Sequence, residues 1–164
     1  MLIRPERASD IDAINNLLIS AFKSSPYSNQ NEHRILDALR NNEGLTLSLV
    51  AEEGRKVIGH LAFSPVTIKG SFLGYYGLGP VAVLPEKQGR GTATALIREG
   101  MRQMALKAKA VVVLGDPDYY ERFGFKAQKG LILKGVPQEN FLAYSFEGNF
   151  HKGEAEYHRA FYVM

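Results

Sequence analysis

Residues 78–98 read LGPVAVLPEKQGRGTATALIR, which predicts an apolar strand, a tight glycine loop and a helix that begins at Thr92. Such a junction leaves backbone N–H groups of the loop and of the first helical turn without internal partners, beside the positive end of the helix dipole. Gly89 and Gly91 allow positive φ angles and a close approach of the backbone to a bulky anion. The stretch therefore predicts a cradle for phosphate groups.

A second strand, loop and helix are predicted at residues 111–125, VVVLGDPDYYERFGF. Asp116 is a favourable N-cap residue, and Pro117 suits the first helical position. Gly124 suits the left-handed residue that ends a helix. The local sequence alone therefore predicts a short helix between Asp116 and Gly124.

Two patterns in these stretches resemble the signatures of the GNAT acetyltransferase family. The run Q-x-x-G-x-A at residues 88–93 is similar to the acetyl-CoA signature of that family, and Y-x-x-x-G-F at residues 120–125 is similar to its second element. They also occur in the order that the family requires. The fingerprints of dinucleotide-binding proteins and of phosphate-loop ATPases fit less well, because a third glycine and a Gly-Lys-Ser/Thr run are missing.

The predicted elements follow one another as in a mixed α/β sheet. The resemblance implies the GNAT fold, in which a mixed, mostly antiparallel central sheet is flanked by helices and splayed between the strand at 78–84 and the strand at 111–114. Gly79 and Pro80 interrupt regular strand pairing and favour a bulge or splay, the alternative being that Pro80 merely begins the strand. Strands are predicted at 2–4, 45–51, 56–68, 75–84, 111–114, 141–146 and 156–163. A first helix is predicted to begin at a capping box of Ser9 and Asp12 and to end at Phe22, and further helices are predicted at 32–40 and 92–107.

The composition is typical of one globular domain, here residues 1–164, with 45% hydrophobic and 23% charged residues. The lack of cysteine excludes disulfides, thiolate metal sites and a cysteine acyl-enzyme. The histidines are scattered without metal-ligand spacing, so no metal is expected. No apolar run is long enough for a membrane span or a signal peptide, so we expect a cytoplasmic protein that does not contact a membrane.

The net charge of +3 and the pI of about 9.1 make the chain basic. A nucleic-acid partner would suit that charge, but solvated surface charge is the simpler explanation. Lys87, Arg90, Arg98 and Arg102 cluster at or just after the glycine loop, where a ligand with several phosphates would be held. We therefore expect no binding to nucleic acid.

The resemblance implies acetyl-CoA as co-substrate and assigns roles by position. Backbone groups of residues 81–83 would pair with the acyl-pantetheine chain, and the N–H of Val83 would stabilise the oxyanion of acetyl transfer. The phenol of Tyr120, protonated at neutral pH, would act as general acid toward the departing thiolate. The implied coenzyme-binding residues are Val81, Ala82, Val83, Gln88, Gly89, Arg90, Gly91, Thr92, Ala93, Asp116, Tyr119 and Tyr120.

The general base is the least determined part of this prediction. Many members of the family carry Glu or His on the central strand, whereas residues 78–85 contain neither an acid nor a histidine. We predict that Glu86, which lies just beyond the strand, is the general base. Asp116, Glu32 and a water chain remain alternatives.

The sequence thus predicts an N-acetyltransferase that moves an acetyl group directly from acetyl-CoA to a primary amine of a small molecule or protein. The acceptor pocket is expected in the loops at 23–31 and 138–152, because loops on a rigid sheet carry specificity. The alternative is a catalytically weak CoA-binding sensor or regulatory module, which the missing strand base would favour. Two chains could pair as a homodimer through the C-terminal strands.

Overall fold

The computed structural model describes residues 1–162. Within them, a mixed β-sheet is flanked by helices in an α/β fold, and short 3-10 turns join several of the elements. The elements in chain order are β1 (Leu2–Pro5), α1 (Ile11–Phe22), α2 (Glu32–Asn41), β2 (Leu47–Glu53), β3 (Lys56–Ile68), β4 (Ser71–Val83), α3 (Thr92–Met104), β5 (Ala110–Leu114), α4 (Pro117–Tyr120), β6 (Lys126–Ala127), β7 (Leu131–Ile132), β8 (Phe141–Ser145) and β9 (Gly153–Tyr157).

The sheet is mostly antiparallel, which confirms the predicted fold class. Its main path is β1-β2-β3-β4-β5-β8-β6, and β9 joins it on the far end of β3. Parallel pairing occurs between β4 and β5 and between β7 and β9. No helix in the described part of the chain is long and apolar enough to cross a membrane.

The strands β4 and β5 part in the middle of the sheet. They pair only where residues 75–77 face residues 110–112, although β4 continues to Val83 and β5 stays paired with β8 through Leu114. The pairing of β3 with β4 also shifts register, because Gly79 and Pro80 form a bulge between the partners of Leu61 and Phe63. The splay is therefore confirmed. The alternative role of Pro80 as the first residue of the strand is wrong, since β4 begins at Ser71.

Two glycines let α3 pack closely on β3. A Cβ at Gly100 would lie 2.7 Å from Phe63 Cε2, and one at Gly59 would lie 3.0 Å from Leu96 Cδ1. Phe63 and Leu96 are fully buried in the larger of the two apolar clusters of the core. This close packing fixes the N-terminus of α3 beside the end of β4.

Some predicted boundaries are wrong. Ser9 lies inside a 3-10 turn, and Asp10 rather than Asp12 accepts a hydrogen bond from a preceding backbone N–H, that of Arg7, at 2.7 Å. The strand predicted at 156–163 is β9 followed by a 3-10 turn, and Val163 lies outside the described residues. The two-residue strands β6 and β7 were not predicted, because such short segments have no measurable alternation of polar and apolar residues.

A buried ion pair joins β1 to the start of α1. The Arg4 guanidinium donates to both carboxylate oxygens of Asp10, at 2.7 and 3.0 Å, and more weakly to Glu52 at 3.3 Å. The hydrogen bonds from Arg4 hold the pKa of Asp10 below its ordinary value. Charge-assisted bonds of this kind fix the entry of the chain into the first helix.

We predict that Asp10→Ala lowers the free energy of unfolding by about 3 kcal/mol, because it leaves the buried Arg4 charge without its main partner. The exposed carboxylate Asp12 in the first turn of α1 is the matched control, and Asp12→Ala should cost less than about 1 kcal/mol. Since the folded-state pKa of Asp10 is lowered, its contribution is complete above the ordinary carboxyl pKa and disappears as the pH falls below about 4. Urea unfolding at several pH values measures both effects, and equal losses for the two variants would contradict the prediction.

Candidate active site

A cavity of about 490 Å³ lies where β4 ends and α3 begins. We call it the glycine-loop cavity. It contains both predicted parts of the binding site, the strand backbone and the glycine loop, together with residues of α4 and the turn after it. Its lining residues are Val81, Ala82, Val83, Lys87, Gln88, Gly89, Gly91, Thr92, Ala93, Thr94, Tyr119 and Arg122.

The glycine loop has the predicted anion-binding geometry. Gly89 and Gly91 have φ angles of 77° and 81°, and a Cβ at either position would meet no atom within 4 Å. The glycines are therefore required by backbone conformation rather than by crowding, and the open space beside them admits a bulky group. The Gln88 side chain donates to the Val83 carbonyl at 3.1 Å, which ties the loop to the strand.

Backbone groups of β4 point into the opening between β4 and β5. The Leu84 N–H donates to the Ile58 carbonyl of β3 at 2.9 Å. Because successive residues of a strand direct their backbone groups to opposite edges, the N–H groups of Val83 and Val81 point away from β3 and toward the opening. The backbone groups of Ala82 point toward β3 instead, so only its remaining atoms can line the cavity.

Tyr119 and Arg122 form the opposite wall. The Tyr119 hydroxyl lies 3.0 Å from Thr94 Oγ1, so α4 is linked to the first turn of α3. The Arg122 guanidinium lies 4.4 Å from the centroid of the Tyr119 ring, and its Nε donates to the Tyr119 carbonyl at 2.8 Å. Arg122 and Thr94 were not predicted as binding residues, although the three-residue spacing of Tyr119 and Arg122 in the predicted short helix could have indicated that pair.

Only part of the predicted basic cluster faces the cavity. Lys87 lines it while pairing with Glu53 at 2.9 Å. Arg90 is exposed in the same loop without lining the cavity. Arg98 stacks on the Phe123 ring at 5.3 Å and Arg102 bonds to Glu99, because both extend from α3 along its surface.

Tyr120 is half-buried beside the cavity. A Cβ at Gly115 would lie 2.4 Å from Tyr120 Cε2, so the absence of a side chain there gives the ring its place. The ring also makes edge contacts with Tyr119 and Phe125. Burial, with a smaller contribution from Tyr119, raises the pKa of the Tyr120 phenol to about 12, so this group keeps its proton at neutral pH.

A second cavity of about 770 Å³ is lined in part by Gly115. It is formed by the loop after α1, the end of β5 and the segment before β8. The first and last of these segments overlap the loops at 23–31 and 138–152, where an acceptor pocket was predicted. Its lining residues are Phe22, Ser25, Tyr27, Ser28, Glu32, Leu114, Gly115, Asp116, Val136, Pro137 and Asn140. Among these described lining residues, the only charged side chains are the carboxylates of Glu32 and Asp116.

The carboxylates named as candidate bases differ in their surroundings. Glu32 accepts from the Ser28 hydroxyl at 2.8 and 2.7 Å and faces the second cavity. The Asp116 side chain accepts from the Asp118 N–H at 2.9 Å as the cap of α4, and it lines the second cavity, not the glycine-loop cavity where a coenzyme contact was predicted.

Glu86 lies outside both cavities. Its side chain is 59% exposed in the turn after β4, and its nearest cation is Lys56 at 3.7 Å. The turn directs this carboxylate to solvent, which argues against the predicted role as general base.

The histidines do not contribute to these cavities. His60 is fully buried on β3 with Nε2 at 2.7 Å from Ser48 Oγ, and burial lowers its pKa to about 4. In residues 1–162, no three His, Cys, Asp or Glu side chains gather into a group that could hold a metal ion.

A strand edge, a glycine loop and a helix N-terminus that surround one cavity are typical of proteins that bind a ligand with a phosphate group and an extended chain. The model of the GNAT acetyltransferase domain matches residues 2–127. The uncharacterized N-acetyltransferase YhbS of Escherichia coli (strain K12) is 42% identical over 129 residues, which are 77% of this chain and 74% of YhbS.

Solved structures agree with this match. A GNAT family acetyltransferase from Brucella melitensis in complex with acetyl-CoA is 47% identical with a TM-score of 0.88, covering 98% of this chain and 97% of its own. YhbS from Escherichia coli in complex with CoA is 35% identical with a TM-score of 0.90, covering 99% and 92%. The chain belongs to the GNAT family of acetyltransferases. It is an acyl-CoA-dependent N-acetyltransferase and, as a member of this family, takes acetyl-CoA as its acyl donor.

We predict that Gly91→Asp abolishes the rise in melting temperature that acetyl-CoA causes in the native protein. The carboxylate would place negative charge in the anion cradle, and the side chain would strain a backbone with φ of 81°. Gly54→Asp is the matched control, because Gly54 has φ of 57° and equally open space in the β2–β3 turn. A thermal-shift titration measures both variants, and an unchanged shift for Gly91→Asp would refute the role of the loop.

We also predict that Arg122→Gln raises the dissociation constant for acetyl-CoA about tenfold to hundredfold, as expected for the loss of a charged hydrogen bond to phosphate. Binding of S-acetylpantetheine, which lacks the phosphates, should not change. Arg98→Gln removes a similar charge that stacks outside the cavity and should leave both ligands unaffected. Calorimetric titration measures these constants, and equal weakening of both ligands by Arg122→Gln would show that the residue does not bind phosphate.

Proposed function

We propose that this enzyme transfers an acetyl group directly from acetyl-CoA, held in the glycine-loop cavity, to a primary amine in the second cavity. The contacts of Tyr120 with lining residues of both cavities carry the proposal. Its ring packs on Gly115, which lines the second cavity, while the adjacent Tyr119 lines the first. A proton donor that contacts both walls is placed for transfer between two bound substrates.

The coenzyme would be held by the strand, the loop and the short helix. The outward N–H groups of Val81 and Val83 suit an extended pantetheine chain, and the N–H groups around Gly89 and Gly91 suit the pyrophosphate. Arg122 would add a positive charge opposite the loop. These residues fit the donor because the open space at both glycines leaves room for its phosphates.

The second cavity suits an amine attached to an apolar or aromatic body. Phe22 and Tyr27 offer aromatic surface, and the carboxylates of Glu32 and Asp116 attract an ammonium group. Both a small molecule and an amino group of a protein satisfy this chemistry. We assign Glu32 rather than Glu86 as the base, because Glu32 faces the cavity while Glu86 faces solvent.

Each reacting group then has one task. Glu32 accepts a proton from the ammonium, so the free amine nitrogen forms the new bond to the acetyl carbon. The Val83 N–H stabilises the oxyanion that forms when the amine attacks the thioester. Tyr120 donates its phenolic proton to the sulfur as the C–S bond breaks, and the resulting phenolate takes the second proton that the nitrogen loses as the amide forms. Glu32 then releases its proton to solvent.

Several expectations stay predictions. These are the extent of one domain over residues 1–164, the cytoplasmic location, the homodimer and the lack of a nucleic-acid partner. Membership of the family favours the enzyme over the catalytically weak CoA-binding sensor that the sequence left as an alternative, and consumption of the thioester with an amine tests this choice.

We predict that release of CoA with a panel of primary amines identifies an acceptor, and that Tyr120→Phe then lowers kcat about 100-fold without changing acetyl-CoA affinity. Glu32→Gln should lower kcat/KM at neutral pH and recover at higher pH, where more of the amine is unprotonated. Glu86→Gln is the control and should behave as wild type. A protein that binds acetyl-CoA but consumes it with no amine would favour the sensor instead.

A further inference from the structure

The opening between β4 and β5 has a closed end. Residues 75–77 of β4 still pair with residues 110–112 of β5, and beyond Gly77 and Val112 the two strands part. A ligand chain that enters from the glycine loop therefore runs toward Gly77 and meets the rejoined sheet there. The side chains around Gly77 decide how much room is left at this end.

Tyr157 of β9 occupies the space above Gly77. A Cβ at Gly77 would lie 2.4 Å from Tyr157 Cε1 and 3.1 Å from Val66 Cγ2, so the ring rests directly on the glycine. Burial is the largest cause that raises the pKa of the Tyr157 phenol, followed by the nearby Tyr162 and Tyr120 hydroxyls. The hydroxyls of Tyr157 and of the proposed general acid Tyr120 are therefore close enough to interact electrostatically.

A third cavity of about 420 Å³ lies beyond this ring. Tyr157 is one of its walls, with Pro65 and Thr67 of β3 and His158 among the others. Tyr157 thus adjoins both Gly77, at the closed end of the opening, and the unfilled space of this cavity. Replacing it with a small side chain would join the two volumes.

We infer that Tyr157 limits the length of the acyl group that the enzyme accepts, by closing the end of the slot between β4 and β5. This inference rests on the proposed placement of acyl-CoA in that slot. The aromatic ring performs this role by its volume, since the atoms that approach Gly77 are the ring carbons Cε1 and Cδ1. A ring-preserving substitution should therefore keep the limit.

Calorimetric titration with CoA, acetyl-CoA and butyryl-CoA tests the inference without an acceptor. The wild type and Tyr157→Phe should bind butyryl-CoA about tenfold more weakly than acetyl-CoA, the discrimination expected when added methylene groups do not fit. Tyr157→Ala should bind the two thioesters equally well. If Tyr157→Ala does not fold, Tyr157→Leu keeps buried apolar volume, lacks the ring and should show the same loss of discrimination.

Equal binding of both thioesters by the wild type, or discrimination retained in the Ala or Leu variant, would overturn the inference. Loss of discrimination in Tyr157→Phe would also overturn it, because the hydroxyl would then be responsible. Failure of the wild type to bind CoA itself would instead refute the placement of the coenzyme, and the inference with it.

Discussion

The parting of β4 from β5 after Gly77 is the constraint on which the site depends. The rest of the sheet stays closed there, because β5 keeps its pairing with β8 to Leu114 and β4 keeps its pairing with β3 to Val83. Only the facing edges of the two strands are released. Backbone N–H groups at such an edge need partners, so the opening favours a ligand that itself bonds like a strand.

The glycines of this chain place the second half of the donor site. Gly59 and Gly100 bring α3 against β3, and the N-terminus of α3 comes to lie at the end of β4. The strand edge and the helix N-terminus are therefore held in one rigid arrangement before any ligand arrives. Because these N–H donors are already in place, little free energy of reorganisation is needed when negative charge develops in the transition state.

The loop and helix ends of the proposed donor site could be predicted because their signals are local. The loop at 88–91, the cap at Asp116 and the stop at Gly124 depend on neighbours in sequence, and the structure has each of them as expected. The Ser9 cap failed for the opposite reason. Asp10 is held by Arg4, a residue of the preceding strand, and such a tertiary contact overrides the local preference.

On the proposed acceptor side, the candidate bases differ in how the fold places them. Glu86 directly follows the reacting strand, yet the turn that begins at Pro85 carries it to the surface beside Lys56. Glu32 comes from a helix far away in the chain and still faces the cavity next to Gly115. The donor half is thus built from two adjoining strand–loop–helix units, whereas the acceptor half is assembled from separate segments. Changes in those segments can alter the acceptor without disturbing the coenzyme site, so the family motifs identify the donor and leave the acceptor to be found by experiment.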